Sequence, residues 1–303
     1  MTHRLRLGTR TTPLALWQAE HVAHALRLAR PDVDIDLVPF VTEGDRRLAV
    51  PLPEIGGKGV FTAELEAALH ARSIDLAVHS LKDLPVEQPA GLTLGAILAR
   101  ADVRDAWVAP SGHLLDDLPT GAVVGTSSLR RGAQLLAHRP DLSIQPIRGS
   151  VGTRLKKVKA GQYDATVLAL AGLQRLDMEN EVTAILDLDV MLPAPGQAAL
   201  AVQCLDEPSI VELLAAIDDQ STNEATTAER QWLYHLGGGC SAPIAAYAYP
   251  QEGLMHLDGA VFAPSGEQSV RVHVQGTDPA ALGRAAAAEA LRQQAGDLLP
   301  NHD

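Results

Sequence analysis

The chain has 303 residues, of which 46% are hydrophobic and 20% charged, and its two cysteines exclude a disulfide framework. A formal net charge of −12 and 3% aromatic residues argue against general nucleic-acid binding, which favours basic faces and stacking rings. No apolar run reaches the roughly 18 residues of a membrane span, and the first ten residues lack a signal-peptide core, so we expect a soluble, cytoplasmic protein.

Strand and helix signals alternate along the first part of the chain. Each predicted strand is a short apolar or alternating segment, and the helices show apolar residues at helical spacing. In chain order, strands are predicted at 4–8, 34–41, 75–79, 122–125, 143–147 and 164–169, and helices at about 12–30, at 60–72, from about 128, from 151 and after 169. The order βαβαβ occurs twice, which is typical of two α/β units.

The last third of the chain follows a different pattern. A further buried strand is predicted at 200–204, and two helical stretches follow it. From Ala242 the pattern changes to strand, turn and strand, with strands predicted at AVF (260–262) and SVRVHVQ (269–275), before an alanine-rich helix from 279 to about 295. This indicates a smaller α+β domain.

Both α/β units carry hydroxyl groups at a strand-to-helix turn. Residues 8–12 form the sequence GTRTT, and residues 125–128 form GTSS. The N-terminus of a helix presents unpaired N–H groups and the positive end of the helix dipole, so both turns are predicted anion sites. Ordinary helix capping explains the hydroxyl groups of Thr12, Thr126 and Ser128 equally well, but it does not explain the arginines beside them.

Four arginines cluster in one short region, and Arg10 lies far upstream. The four are Arg130, Arg131, Arg148 and Arg154. They fall on adjacent predicted loops at the carboxyl edge of a sheet, where open α/β sheets bind ligands. Because guanidinium groups hold carboxylates through two hydrogen bonds, the cluster predicts a ligand with several carboxylates. The alternative is a solvated basic face, which the surrounding glycines make less favourable.

The predicted strand at 75–79 leads directly into polar residues. His79, Ser80, Lys82 and Asp83 fall within five positions and should face the anion loops. An acid beside a cation suits proton transfer or the stabilisation of a cationic intermediate. A lone histidine after a strand is more often a satisfied core residue, and we keep that interpretation for His79.

Further candidates are the cysteines and a glycine-rich stretch at 56–61, which contains Lys58 and ends at Phe61. Cys240 follows three glycines in LGGGCSAP, whereas Cys204 is best interpreted as a small buried hydrophobic residue.

Taken alone, some of these residues are compatible with three functions: acyl transfer, carboxylate binding and zinc binding. Cys240, His79 and Asp83 could form a thiol triad for acyl transfer, but such a triad leaves five arginines unexplained. A non-enzymatic carboxylate-binding protein would fit the two α/β units, although its usual extracellular setting conflicts with the absence of a signal peptide. Zinc at Cys240 and His235 would have too few ligands, so we predict no metal.

The chain resembles the porphobilinogen deaminase family, also called hydroxymethylbilane synthases. The resemblance runs from about residue 4 to beyond 245. Seven segments carry it, in order: RLGTRTTPLALWQA, GGKGVFTAELE, AVHSLKDLP, GTSSLRR, RGSVGTRL, PAPGQAAL and GGGCSAPI. Each segment alone would be a weak indication, whereas seven in order are highly specific.

The resemblance implies an activity and a cofactor. Cys240 is expected to carry a dipyrromethane through a thioether. Four porphobilinogen molecules are then joined to it head to tail with loss of ammonia, and hydroxymethylbilane is released by hydrolysis. Every pyrrole carries an acetate and a propionate, which suits the arginine loops. A cytoplasmic monomer of tetrapyrrole (heme) biosynthesis is implied.

The resemblance also assigns residues. Asp83 is expected to be catalytic. Expected cofactor-binding residues are Cys240, Lys82, Asp83, Thr126, Ser128, Arg130, Arg131 and Arg154. Expected substrate-binding residues are Arg10, Thr12, Phe61, Arg148, Arg154 and Gln197. Three positions depart from the family pattern: Thr12 replaces a serine, Ser150 an asparagine, and Ala198 a glycine, which is expected to affect the loop near Gln197.

The implied fold is α/β, with two domains resembling periplasmic binding proteins around a cleft and a small C-terminal α+β domain. Domain 1 is expected to comprise residues 1–100 with 199–216, domain 2 residues 101–198, and the C-terminal domain residues 217–303, which carry the cofactor cysteine.

Overall fold

The computed structural model describes residues 3–46, 61–239 and 242–299. The strands are β1 (His3–Arg10), β2 (Val33–Phe40), β3 (Leu76–Ser80), β4 (Leu92–Ile97), β5 (Asp105–Val108), β6 (Val123–Gly125), β7 (Ser143–Gln145), β8 (Ala165–Ala169), β9 (Ala184–Ile185), β10 (Leu200–Leu205), β11 (Ile244–Gln251), β12 (Leu254–Phe262) and β13 (Ser269–Gly276). The α-helices are α1 (Pro13–Ala29), α2 (Glu43–Arg46), α3 (Ala63–His70), α4 (Leu129–His138), α5 (Val151–Lys159), α6 (Leu170–Gln174), α7 (Pro208–Leu214), α8 (Gln220–His235) and α9 (Pro279–Arg292). Short 3-10 helices lie at Leu81–Asp83, Glu179–Glu181, Ala215–Ile217 and Ala295–Leu298.

The chain divides into two compact units. The first consists of Met1–Ala101 with Ala198–Asn223, and the second of Asp102–Gln197 with Glu224–Asp303. The first unit is therefore completed by a segment that returns to it late in the sequence.

The first unit contains a five-stranded sheet in the order β2-β1-β3-β10-β4. Strands β1, β2 and β3 are parallel, whereas β10 is antiparallel to both β3 and β4. Helix α1 begins directly after β1, with Pro13 in its first turn and the Thr12 hydroxyl accepting a hydrogen bond from the Ala15 N–H. Its buried face includes Val22 and Leu26 and packs in one core with Leu7 of β1.

The second unit repeats this strand pattern. Its five-stranded sheet has the order β7-β6-β8-β5-β9, with β6, β7 and β8 parallel and β5 antiparallel to its two neighbours. The same unit also contains the antiparallel sheet β11-β12-β13. Helix α9 contacts β12 and β13 of this sheet.

The predicted α/β fold with a C-terminal α+β part is confirmed. The sequence pattern predicts no strand at β4, β5, β9 or β11. Strands β4 and β5 join their sheets antiparallel and follow no crossover helix, so a βαβ alternation does not predict them. Strand β9 has only two residues, and β12 extends well before the apolar segment at 260–262 that suggested it.

The glycines before Cys240 have structural roles at two positions. The N–H groups of Gly237 and Gly238 donate to the carbonyls of Tyr234 and Leu233 and so close the end of α8. Gly237 has a φ of 69°, in the left-handed region, and a Cβ on Gly238 would lie 2.3 Å from Ile244 Cδ1. Cys240 itself lies outside the described residues.

Ala198 occupies a conformation that favours glycine. Its φ is 71°, in the left-handed region, where a residue with a Cβ is strained, and it follows Gln197 directly in the chain.

Substitutions at two helical glycines should change the free energy of unfolding in opposite directions, and one of them tests the packing of α9 on α8. A Cβ on Gly283 in α9 would lie 2.3 Å from the Ala228 carbonyl oxygen of α8, whereas a Cβ on Gly152 in α5 would meet no atom within 4 Å. We expect Gly283→Ala to lower the free energy of unfolding by about 1–3 kcal/mol, because the two helices must separate. Gly152→Ala should raise it by up to about 1 kcal/mol through helix propensity alone. Urea unfolding of both variants measures this, and two changes of the same sign would contradict the close approach of α8 and α9.

Candidate functional site

Several predicted site residues of the first unit lie at one sheet edge. Strands β1 and β3 are parallel neighbours with Gly8 opposite Ala77, so their carboxyl ends coincide. Arg10 ends β1, and the 3-10 turn Leu81–Asp83 follows β3 directly. The structure thereby brings Arg10, Thr12, Lys82 and Asp83 to the edge that the sequence predicts.

Arg10 lies against an aromatic ring. Its guanidinium carbon is 4.3 Å from the centroid of Phe61, which is within the range of a cation–π contact. Phe61 also packs on α2, where a Cβ on Gly44 would lie 2.1 Å from the ring. Arg10 and Phe61 are both half-buried, so each keeps an exposed part for a ligand.

The turn after β3 presents Lys82 and Asp83 outwards. Leu81 and Leu84 are buried in a core with Ala199, and the Leu81 N–H donates to the Ala199 carbonyl. Lys82 is half-buried, and Asp83 is exposed. Among the residues that the structure describes, no hydrogen bond or ion pair involves the Asp83 carboxylate, so it is available to a ligand.

His79 is a buried residue of β3. It is 6% exposed, and its Nε2 lies 3.2 Å from Oε1 of Gln203 on the neighbouring strand. Burial lowers the pKa of the imidazole to about 4, and the positive charge of Arg10 acts in the same direction. The interpretation of His79 as a satisfied core residue is confirmed, and so weak a base does not favour the thiol triad.

In the second unit, hydrogen bonds connect the turn after β6 to the turn before α5. The Thr126 hydroxyl accepts from the Ser128 N–H, and the Ser128 hydroxyl accepts from the Arg131 N–H as the N-cap of α4. The Ser127 hydroxyl donates to the Ile147 carbonyl at 2.9 Å and accepts from the Ile147 N–H at 3.1 Å. These bonds hold the turn before α4 beside the turn before α5.

Arg130 and Arg131 share one buried carboxylate. Arg130 Nη2 lies 2.9 Å from Asp105 Oδ2, and Arg131 Nη2 lies 2.7 Å from Asp105 Oδ1. The Gln197 amide donates to the same Oδ1 at 2.9 Å and to the Val103 carbonyl at 2.7 Å. The Asp105 and Gln197 side chains are fully buried, and the two arginine side chains are only 4% and 8% exposed.

The charges of this cluster do not cancel. Two guanidinium groups and one carboxylate leave a net charge of +1. Both arginines also lie in the first turn of α4, where the helix dipole disfavours cations. Burial lowers the pKa of Arg130, although the charge of Asp105 counteracts this. The cluster therefore favours a further anion nearby.

Arg148 and Arg154 flank the turn before α5. Arg154 Nε donates to the Gly149 carbonyl at 2.9 Å, and the Ser150 hydroxyl caps α5 by accepting from the Thr153 N–H. Both arginines are half-buried. Because β6 and β7 are parallel neighbours, the starts of α4 and α5 lie at one sheet edge, as predicted. Of the four arginines, only Arg148 lies on a loop, whereas Arg130 and Arg131 lie in the first turn of α4 and Arg154 lies in α5. The prediction that all four lie on loops is wrong, because both helices begin directly after their capping serines.

Two charged residues of these regions, Asp105 and Arg175, were not predicted from the sequence. Asp105 begins the apolar strand DAWV. Because an aspartate is rarely buried without a partner, an acid in such a strand indicates a cation nearby. Arg175 follows the apolar helix α6, and burial lowers its pKa to about 10. A charged residue inside an apolar segment is the signal that could have identified both.

Other predictions have separate outcomes. Cys204 is fully buried, as predicted, and burial raises the pKa of its thiol to about 11. Lys58 lies outside the described residues. Within the described ranges, no group of three or more His, Cys, Asp or Glu residues could hold a metal ion. The helices of those ranges are all too short or too polar to cross a membrane.

Comparisons with known proteins agree along nearly the whole chain. Residues 5–212 match the family model "Porphobilinogen deaminase, dipyromethane cofactor binding domain", and residues 224–292 match the model of the porphobilinogen deaminase C-terminal domain. The chain is 46% identical over 296 residues to the porphobilinogen deaminase of Brevibacillus brevis, covering 97% of this chain and 96% of that protein. It is 46% identical over 300 residues to the porphobilinogen deaminase of Acidithiobacillus ferrooxidans, covering 99% and 98%.

Among solved structures, the chain resembles a TRAP periplasmic solute binding protein from Desulfovibrio salexigens. The TM-score is 0.44, the sequence identity is 12%, and the match covers 72% of this chain and 73% of the other.

The burial of the cluster around Asp105 predicts a large loss of stability when its carboxylate is removed. Asp105→Asn leaves two buried guanidinium groups without a carboxylate, and we expect the free energy of unfolding to fall by about 3–5 kcal/mol. Asp102→Asn is the matched control, because Asp102 pairs with Arg104 at 2.6 Å but both side chains are partly exposed. That control should lose at most about 1 kcal/mol. Equal losses for the two variants in urea unfolding would contradict the role given to Asp105.

Proposed function

Because the chain belongs to the porphobilinogen deaminase family, we propose that it joins four porphobilinogen molecules head to tail on a dipyrromethane held by Cys240. Ammonia is lost at each addition, and hydroxymethylbilane is released by hydrolysis. The chain is thus a transferase of tetrapyrrole biosynthesis. We further propose that it acts as a cytoplasmic monomer and binds neither nucleic acid nor membrane, as its acidic, aromatic-poor composition suggests.

We propose three domains: residues 1–100 with 199–216, residues 101–198, and residues 217–303. Two five-stranded sheets with the same strand pattern support the first two, and the separate sheet β11-β12-β13 supports the third.

The net positive charge of the buried arginine cluster is the observation that carries the cofactor proposal. A dipyrromethane bears four carboxylates, two on each ring, and the residues around α4 suit such a group. Arg130 and Arg131 supply excess positive charge, and the capping hydroxyls of Thr126 and Ser128 lie beside them. When bound, the dipyrromethane supplies the free α-carbon to which pyrroles are added.

Half-buried cations would bind the carboxylates of incoming porphobilinogen. We assign this role to Arg10, Arg148 and Arg154, each of which keeps an exposed part. Phe61 would contact a pyrrole ring, and Thr12 would contribute a hydroxyl at the start of α1. Gln197 is fully buried and holds Asp105 near Arg130 and Arg131, so it would act on bound ligands only indirectly, through the arginines assigned to the cofactor.

Asp83 is proposed to stabilise positive charge. Loss of ammonia from porphobilinogen leaves a methylene-pyrrole cation whose charge is shared with the ring nitrogen. The Asp83 carboxylate is exposed and has no hydrogen bond or ion pair to the residues that the structure describes, so it can accept a hydrogen bond from the pyrrole N–H. This contact strengthens as the charge develops. Lys82, which directly precedes Asp83 in the chain, would bind a carboxylate of the cofactor.

Intact-mass measurement tests the attachment of the cofactor. We expect the purified protein to be heavier than its sequence by two linked pyrroles, and Cys240→Ala to lose both the added mass and turnover. Cys204→Ala is the control, because the buried Cys204 thiol should not be alkylated by the cofactor and its removal should leave the added mass intact. A fully active protein with an unmodified Cys240 would refute the proposal and favour a thiol triad or a simple binding protein.

A single substitution tests the role of Asp83. Asp83→Asn should fold normally and bind porphobilinogen with nearly unchanged KM, but its kcat should fall by about 10² to 10⁴. Glu87→Gln, an exposed acid four residues later, should have near wild-type turnover. If Asp83 only caps the turn, asparagine would replace it with little effect, and near wild-type turnover of Asp83→Asn would remove it from the mechanism.

A further inference from the structure

A chain of three side-chain hydrogen bonds runs from β3 to the segment after Asp83. His79 Nε2 lies 3.2 Å from Gln203 Oε1, and Gln203 Nε2 donates to Gln88 Oε1 at 2.9 Å. Gln88 Nε2 then donates to the carbonyl oxygen of Pro85 at 3.1 Å. His79 and Gln203 are buried on adjacent strands, since His79 is paired with Ala201 in the antiparallel register.

The last acceptor fixes the direction of this chain. The Pro85 carbonyl can only accept, so Gln88 must present its amide NH2 there and its oxygen to Gln203. Gln203 must then donate to Gln88 and turn its own oxygen towards His79. It follows that His79 Nε2 carries a proton and donates. Because burial keeps the pKa of His79 at about 4, the ring stays neutral near pH 7 and its Nδ1 is unprotonated.

The chain closes a clamp around the turn that carries Lys82 and Asp83. On the entry side, Gln18 Nε2 donates to the Ser80 hydroxyl at 2.9 Å, and β3 pairs with β10 up to Ser80. On the exit side, Gln88 holds the Pro85 carbonyl. Both ends are thus attached to buried parts of one sheet, although Asp83 itself is exposed and has no partner of its own within the described ranges.

We propose that His79 and Gln203 are positioning residues, which hold the Asp83 carboxylate in its reactive place through Gln88 and the Pro85 carbonyl. The proposal rests on the catalytic role proposed for Asp83. An exposed carboxylate must be oriented by its backbone, and small displacements of a catalytic group reduce the rate strongly. Neither residue needs to touch substrate.

The tautomer of His79 is the first test, because a residue that merely fills space has no required tautomer. In the ¹⁵N-labelled full chain with its cofactor, we expect the long-range ¹H–¹⁵N spectrum at pH 7 to show a protonated Nε2 and an unprotonated Nδ1 for His79. An Nδ1–H tautomer or a doubly protonated ring would overturn the direction of the hydrogen-bond chain, and with it the proposal. This measurement needs no variant to fold.

Kinetics of a matched pair form the second test. His79→Leu removes the donor, and we expect kcat to fall about tenfold while KM changes less than twofold. His79→Gln keeps an N–H near the position of Nε2, so its kcat should stay within about threefold of wild type. Equal activity of the two variants, or a loss expressed only in KM, would overturn the positioning role.

A double-mutant cycle connects the effect to Asp83. In an Asp83→Asn background, His79→Leu should cause little further loss, because the group it positions is already gone. A further tenfold loss would mean that His79 acts elsewhere, which overturns the proposal. If Asp83→Asn alone retained wild-type turnover, the catalytic role proposed for Asp83 would fail. If Asp83→Asn lost turnover as expected but His79→Leu did not, only the positioning role of His79 would fail.

Discussion

The buried carboxylate of Asp105 is the interaction on which the second unit depends. It accepts from Arg130, Arg131 and Gln197, and all four side chains are almost removed from water. Removing two cations from water costs several kcal/mol per ion unless an opposite charge is close. Asp105 therefore permits two arginines at the start of α4, and the net positive charge of these three ionised groups makes this turn suitable for an anionic ligand.

The repeated sheet explains why the two units present comparable sites. In each, three parallel strands end at one edge, and an antiparallel strand lies next to the third. The helix after the first parallel strand begins at a hydroxyl cap, Thr12 in one unit and Ser128 in the other. Apolar cores cover the faces of the sheets. Polar residues that follow these strands therefore gather at the carboxyl edge of each sheet.

Periodicity and turn residues were sufficient to predict the parallel strands, their helices and the edge at which polar side chains gather, because these depend on neighbours in the sequence. Partners distant in the sequence were not predictable. Arg130 and Arg131 read as free ligand-binding groups, but Asp105, 25 residues earlier, takes up part of their hydrogen-bonding capacity. Strands β4 and β5 were missed for a related reason, since their antiparallel pairing partners, β10 and β8, are far along the chain.

Asp83 and Asp105 show how environment separates two carboxylates of the same type. Asp105 is fully buried and accepts hydrogen bonds from Arg130, Arg131 and Gln197, so its lone pairs are committed to the fold. Asp83 lies on a short turn whose apolar neighbours, Leu81 and Leu84, are buried while its own side chain is exposed. A carboxylate whose oxygens already accept several hydrogen bonds gains little as positive charge develops on a substrate, whereas an exposed carboxylate held in place by its backbone can gain a contact. The buried leucines and the polar groups beneath the turn therefore let Asp83 be fixed without being neutralised, which is the condition for a carboxylate to act in the transition state.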